Sequence, residues 1–234
     1  MRRIIKAGSA EEAVKLRHEI EGSVYLAGGT EIMRLNSSIA EDASLIDITS
    51  LPLSGIRKEG GRIIIGSLTT LQDIKNSELV PSFIREAAAS DASLQLRNAA
   101  TIGGNFALRR YDGYLVAALL ASECSLEIMC SKGQKTKSVS EYFEKKGCKA
   151  LILSFSIDEN RTGYFKRIAR ASHMHAAVTA AESCGSWAYS VSGSGIAYGH
   201  DKDVYKTIDF KDDLTGSASY KKYLASVLAE EDWK

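Results

Sequence analysis

The chain has 234 residues, 44% of them hydrophobic and 25% charged, with 30 basic side chains against 29 acidic ones. That length holds a sizeable core in one or two domains, while average apolar content and two prolines exclude a disordered or low-complexity chain. A net charge of +1, with Lys and Arg scattered among acids, excludes the basic face of a nucleic-acid binder.

The start, Met1 to Lys6, is basic, but its apolar run stops after Ile4-Ile5. Neither a secretory leader nor a membrane span is expected, since the longest apolar run, residues 115–121, is too short to cross a bilayer. Ser9-Ala10-Glu11-Glu12 reads as a capping box opening a helix with Ala13, Leu16 and Ile20 on one face and Gly22 at its end. Residues 24–27 read as a short buried strand that runs into Gly28-Gly29-Thr30, and residues 31–35 as one or two helical turns. Strands are expected at 44–48 and 62–66. Thr70 opens a second helix, and Pro81 suits the first turn of a third. Residues 97–105 read as irregular, followed by an apolar helix over 114–122 and strands near 125–129 and 150–156.

The polar run Asp158-Glu159-Asn160-Arg161-Thr162-Gly163 is the expected domain boundary. Beyond it come a strand at 164–168, an Ala/Val-rich stretch at 176–181, strands at 187–191 and 196–198, and a helix over 219–231. Gly193 and Gly195 read as turn or bulge positions of a hairpin. Strands and helices mix without a steady βαβ rhythm, so the fold class is α+β. Cys124, Cys130, Cys148 and Cys184 form no close group. They read as reduced thiols of a cytoplasmic protein, and any iron–sulfur centre belongs on another polypeptide.

Two double-glycine segments stand out. In Ala27-Gly28-Gly29-Thr30-Glu31 the missing Cβ atoms allow positive φ and close approach of a ligand to the main chain. Backbone amides of such a loop suit a phosphate; an ordinary strand-to-helix turn has the same residues. Thr30 either caps the following helix or gives its hydroxyl to a phosphate oxygen. Glu31 is expected to point outward, because inward it repels a diphosphate. Thr101-Ile102-Gly103-Gly104-Asn105 is the second segment, and Asn105 offers both donor and acceptor. Two such loops in one chain favour an extended ligand clasped at two places. Neither is GxGxxG, and no Walker pattern exists.

The pair AGGTE at 27–31 and LRNAATIGGN at 96–105, with Ile65-Gly66-Ser67-Leu68-Thr69-Thr70 and the closing stretch from Asp213 to Lys222, resembles the FAD-binding medium subunit of the molybdenum hydroxylases. That family includes the flavin subunits of xanthine, carbon monoxide and nicotinate dehydrogenases. The resemblance implies a PCMH-type, vanillyl-alcohol-oxidase-like FAD-binding domain over residues 1–157, built from α/β subdomains of about 1–55 and 56–157. It further implies a small α+β C-terminal domain over 162–234. By the same resemblance Ala27, Gly28, Gly29, Thr30 and Glu31 hold the pyrophosphate, and Thr101, Gly103, Gly104 and Asn105 form the facing wall. Asp112 matches the acid that meets the ribityl hydroxyls, although in relatives that acid lies about two residues further on. Lys166, in Tyr164-Phe165-Lys166, approaches the isoalloxazine.

The function so implied is an oxidoreductase subunit that passes electrons from a partner's iron–sulfur clusters through FAD to NAD or another acceptor, with a molybdopterin subunit doing the hydroxylation. No catalytic residue and no metal site are assigned to the chain itself; His173 and His175 lack a third ligand in view. Arg109 and Arg110 stand either near the phosphates or as solvated loop charges. Two alternatives remain: a stand-alone flavin reductase of the same fold, and a degenerate interaction subunit without flavin.

Overall fold

A computed structural model describes residues 3–34, 37, 42–145, 147, 149–171, 174–231 and 233. The chain opens with β1 (Ile4–Lys6), α1 (Ala10–Glu19), β2 (Val24–Leu26) and β3 (Leu45–Asp47), which form a parallel sheet in the order β1-β3-β2. Ser9 caps α1 by accepting from the Glu12 amide at 3.1 Å, and Glu12 answers by accepting from Gly8 rather than from Ser9. The helix ends at Ile20, ahead of Gly22. Residues 31–34 do not make a regular helix. Residues 30–33 form a turn closed by the Met33 amide on the Gly29 carbonyl at 2.9 Å, and Leu35 lies outside the described residues.

Next come β4 (Ile56–Glu59), β5 (Arg62–Gly66), α2 (Leu71–Asn76), α3 (Ser82–Asp91), α4 (Leu94–Arg97), α5 (Ile102–Ala107) and α6 (Tyr114–Ala121). They are followed by β6 (Ser125–Cys130), β7 (Gly133–Ser138), α7 (Val139–Glu144) and β8 (Leu151–Asp158). The five strands of this stretch form an antiparallel sheet in the order β4-β5-β8-β6-β7. Residues 97–105, expected to be irregular, include parts of two short helices. Ser93 and Thr101 supply the reason, each accepting an amide hydrogen bond from the residue three positions on. β4, β7 and α7 carry weaker signals: β4 and β7 lie at the sheet edges and are mostly exposed, so neither alternates between apolar and polar faces.

The C-terminal part contains β9 (Tyr164–Ile168), β10 (Val178–Ser183), β11 (Ser186–Val191) and β12 (Gly195–Gly199), then α8 (Ala218–Glu230). Its antiparallel sheet runs β12-β11-β10-β9, and the turn after Val191 holds Gly193 with φ +65°. Every residue of α6 is buried, as expected of a helix that is apolar all round. It packs against α3 on one side and against β10, β11 and β12 on the other. The largest apolar cluster therefore runs from Ile63 through α6 to Ala181 and Ala188 of the C-terminal sheet. No helix among the described residues is long and apolar enough to cross a membrane.

Candidate functional site

Between the three-stranded sheet and the loops beside α5 lies a cavity of about 690 Å³, within the usual range of small-molecule sites. β2 delivers the first glycine segment to it and the Thr101 cap of α5 delivers the second. Ala27, Gly28, Gly29, Thr30, Glu31, Thr101, Gly103, Gly104, Asn105 and Asp112 all line it.

Direct packing holds the two segments together. A Cβ built on Gly28 lies 1.7 Å from the Ala99 carbonyl oxygen, so only glycine lets the first loop rest on the strand of chain leading into the second. The second loop is anchored to the segment after β5: Gly103 donates to the Ser67 carbonyl at 2.9 Å and Ile102 to Thr69 at 3.0 Å. A Cβ on Gly103 meets Ser67 at 2.7 Å. Gly28 and Gly103 thus each permit a close contact between two stretches of the chain.

The polar inventory of the cavity is open toward a guest. Among the described residues the amides of Gly28, Gly29, Thr30 and Glu31 have no hydrogen-bond acceptor. Ser67 Oγ and Asn105 Oδ1 are buried without a partner among the described residues. The Asn105 amide group donates to Asp91, a cavity residue that nothing in the sequence singled out. Burial pushes the Asp91 carboxyl up to about 6, against the opposing pull of the Asn105 hydrogen bond and the Arg110 charge.

A chain of charged groups crosses one wall. Arg110 grips Asp112 with Nε at 2.9 Å and Nη2 at 3.0 Å, and its Nη1 stands 3.6 Å from Glu31. His175 Nε2 lies 2.8 Å from Asp112 Oδ2, and His175 Nδ1 lies 3.4 Å from the Tyr114 hydroxyl, which accepts from the Ala176 amide at 2.7 Å. Burial acts to raise the Asp112 carboxyl, yet the hydrogen bonds from His175 and Arg110 hold it well below the usual carboxylate range. Glu31 therefore does not point away from the site. It lines the cavity, with Arg110 and Arg34 each 3.6 Å away, because residues 30–33 form a turn and not a helix start that would draw it outward, and two guanidinium groups offset its charge. Arg109 is no solvated charge either: it donates to the Tyr142 carbonyl at 2.9 Å and lies 4.8 Å above that ring.

Lys166 stands apart from the cavity. It is ion-paired with Glu231 and lies 5.5 Å over Trp233. Alternation along β9 explains this: Phe165 enters the main core, so Lys166 and Tyr164 face the side on which Glu231 and Trp233 sit. His173 lies outside the described residues.

A sequence profile described as the FAD-binding domain in molybdopterin dehydrogenase matches residues 1–157. The chain belongs to this family. Among curated relatives it is 28% identical to the uncharacterised protein YgfM of Escherichia coli strain K12, over 95% of this chain and 92% of that one. It is 31% identical to the nicotinate dehydrogenase FAD-subunit of Eubacterium barkeri, over 59% of this chain and 49% of the relative. A solved structure of carbon monoxide dehydrogenase from Hydrogenophaga pseudoflava superposes with a TM-score of 0.87 at 21% identity, covering 97% of this chain and 94% of that one. Quinoline 2-oxidoreductase from Pseudomonas putida 86 gives 0.81 at 17% identity, over 98% and 94%. The fold of this FAD-binding oxidoreductase family is thus carried along nearly the whole chain, as the motifs at 27–31 and 96–105 imply.

Proposed function

We propose that the chain is the FAD-binding electron-transfer subunit of a cytoplasmic, multi-subunit molybdenum hydroxylase. Electrons arrive from iron–sulfur clusters on one partner subunit, a second partner carries the molybdopterin, and NAD or another acceptor takes the electrons away. Residues 1–157 act as the flavin domain, with subdomains of about 1–55 and 56–157, and residues 162–234 as a C-terminal domain packed on α6.

The observation that carries this reading is the run of four amides, Gly28 to Glu31, unpaired among the described residues, on a cavity that also holds the buried Ser67 Oγ and Asn105 Oδ1, likewise without a partner there. Buried polar groups without partners are costly, and those on a cavity wall fit a polar guest of dinucleotide size. The open amides suit the pyrophosphate as donors. Thr30, whose hydroxyl meets no acceptor among the described residues, adds one more donor. Thr101, Gly103, Gly104 and Asn105 form the opposite wall, and Asp112, fixed by Arg110 and His175, suits sugar-chain hydroxyls. Bound FAD supplies the redox chemistry, taking up electrons singly and yielding them as a pair. The protein binds and orients it and keeps the site from bulk water.

The test is direct. The purified chain is titrated with FAD and followed by flavin fluorescence; saturation at one FAD per chain is expected, and no binding at saturating FAD overturns the reading. One observation favours a second reading, a stand-alone flavin reductase: Asp91 is a cavity acid whose carboxyl burial pushes up to about 6, toward the range that suits a proton donor. Turnover by the isolated chain favours the reductase; turnover only with iron–sulfur and molybdopterin partners favours the subunit.

A further inference from the structure

The proposed diphosphate site includes carboxylates that oppose its cargo. Glu31 belongs to the same loop as the open amides, and Asp112 lines the same cavity. Their side chains are only 22% and 25% exposed, so water screens them poorly. A free carboxylate so near a dianion weakens its binding.

Resting on the reading above, we propose that Arg110 is a positioning residue for the diphosphate, which offsets the charge of Glu31 and Asp112 by pairing with both and so makes the amide loop more receptive to a dianion. The geometry is specific. Nε and Nη2 grip Asp112 side-on, which leaves Nη1 to reach Glu31 at 3.6 Å. One planar fork thus joins the turn after β2 to the segment after α5, which the compact ammonium of lysine does poorly. The other cations are less suited. Arg34 also stands 3.6 Å from Glu31 but its side chain is 57% exposed. Arg109 is committed to the Tyr142 carbonyl and ring. Arg17 lines the cavity and contacts neither carboxylate.

The experiment is equilibrium titration of the full chain with FAD, with a thermal melt of each variant as a check of folding. Arg110→Gln is expected to weaken FAD binding about tenfold or more. Adding Glu31→Gln to that variant is expected to recover part of the loss, because one of the two charges that Arg110 offsets is then gone. Glu31→Gln alone is expected to bind FAD at least as tightly as the wild type, which keeps the proposal testable even if Arg110→Gln folds poorly. Wild-type affinity in Arg110→Gln overturns the proposal, as does a double variant as weak as the single one, or weaker binding in Glu31→Gln. Failure of the wild type itself to bind FAD removes the functional reading as well, and so is told apart from failure of Arg110 alone.

Discussion

Gly28-Gly29 leaves a strand and Gly103-Gly104 sits inside a capped helix, and the two pairs need their missing Cβ atoms for different reasons. In the first pair Gly28 lies against the Ala99 carbonyl and Gly29 adopts φ +68°, so the main chain there is turned out of any regular hydrogen-bond ladder. Its amides meet no acceptor among the described residues. In the second pair the main chain is tied down: Gly103 donates to Ser67, Gly104 to the Thr101 side chain at 3.2 Å, and Asn105 to the Thr101 carbonyl at 2.9 Å. Its glycines let a helix start press on the segment after β5. One loop therefore offers main-chain donors, while the other offers a rigid wall and the Asn105 side chain. Similar letters carry different work because a donor is available only where secondary structure has not already used it.

The largest effect on this contrast is expected from Gly28→Val. A Cβ 1.7 Å from a backbone oxygen has no flexible neighbour to displace, so the loops must part. A loss of about 3 kcal/mol or more in a urea melt is expected, together with loss of FAD retention. A stable Gly28→Val variant breaks the claim that the two segments rest on each other.

Gly29→Val is the second test. Its Cβ meets nothing closer than Leu26 at 3.4 Å, so the cost is conformational: a β-branched residue is forced to a positive φ. About 1–2 kcal/mol of stability should be lost. Flavin retention should fall more than that loss of stability explains, because the open amides shift with the turn.

The smallest effect concerns the acid that Asn105 holds. Asp91 has its folded value raised from 3.8 to about 6, so the folded state keeps its proton more tightly than the unfolded chain does. Stability conferred by that proton is present at low pH and lost as pH rises between these values. Asp91→Asn, which keeps an acceptor for Asn105, is expected to be about 1 kcal/mol more stable than the wild type at pH 8 and no different at pH 4. Chemical melts at both pH values check it, and a gain equal at both shows that burial of charge is not the cause.

Local signals in the chain were enough for much of this molecule. The capped start of α1, the apolar run of α6, the hairpin around Gly193 and the two glycine segments all rest on neighbours within a few residues, where propensity and capping act. So did the family resemblance. The helices within 94–107 are too short for a clear helical period, and α5 is held by groups far away in the sequence, Gly103 on Ser67 and Phe106 against Phe143 and Phe155. The direction of Glu31, the withdrawal of Lys166 to the Glu231 and Trp233 side of β9, and the link from Arg110 through Asp112 to His175 depended on which distant groups come within reach. Electrostatic pairing acts through space at a few ångströms, and separation along the chain, 63 residues for Asp112 and His175, carries no trace of it.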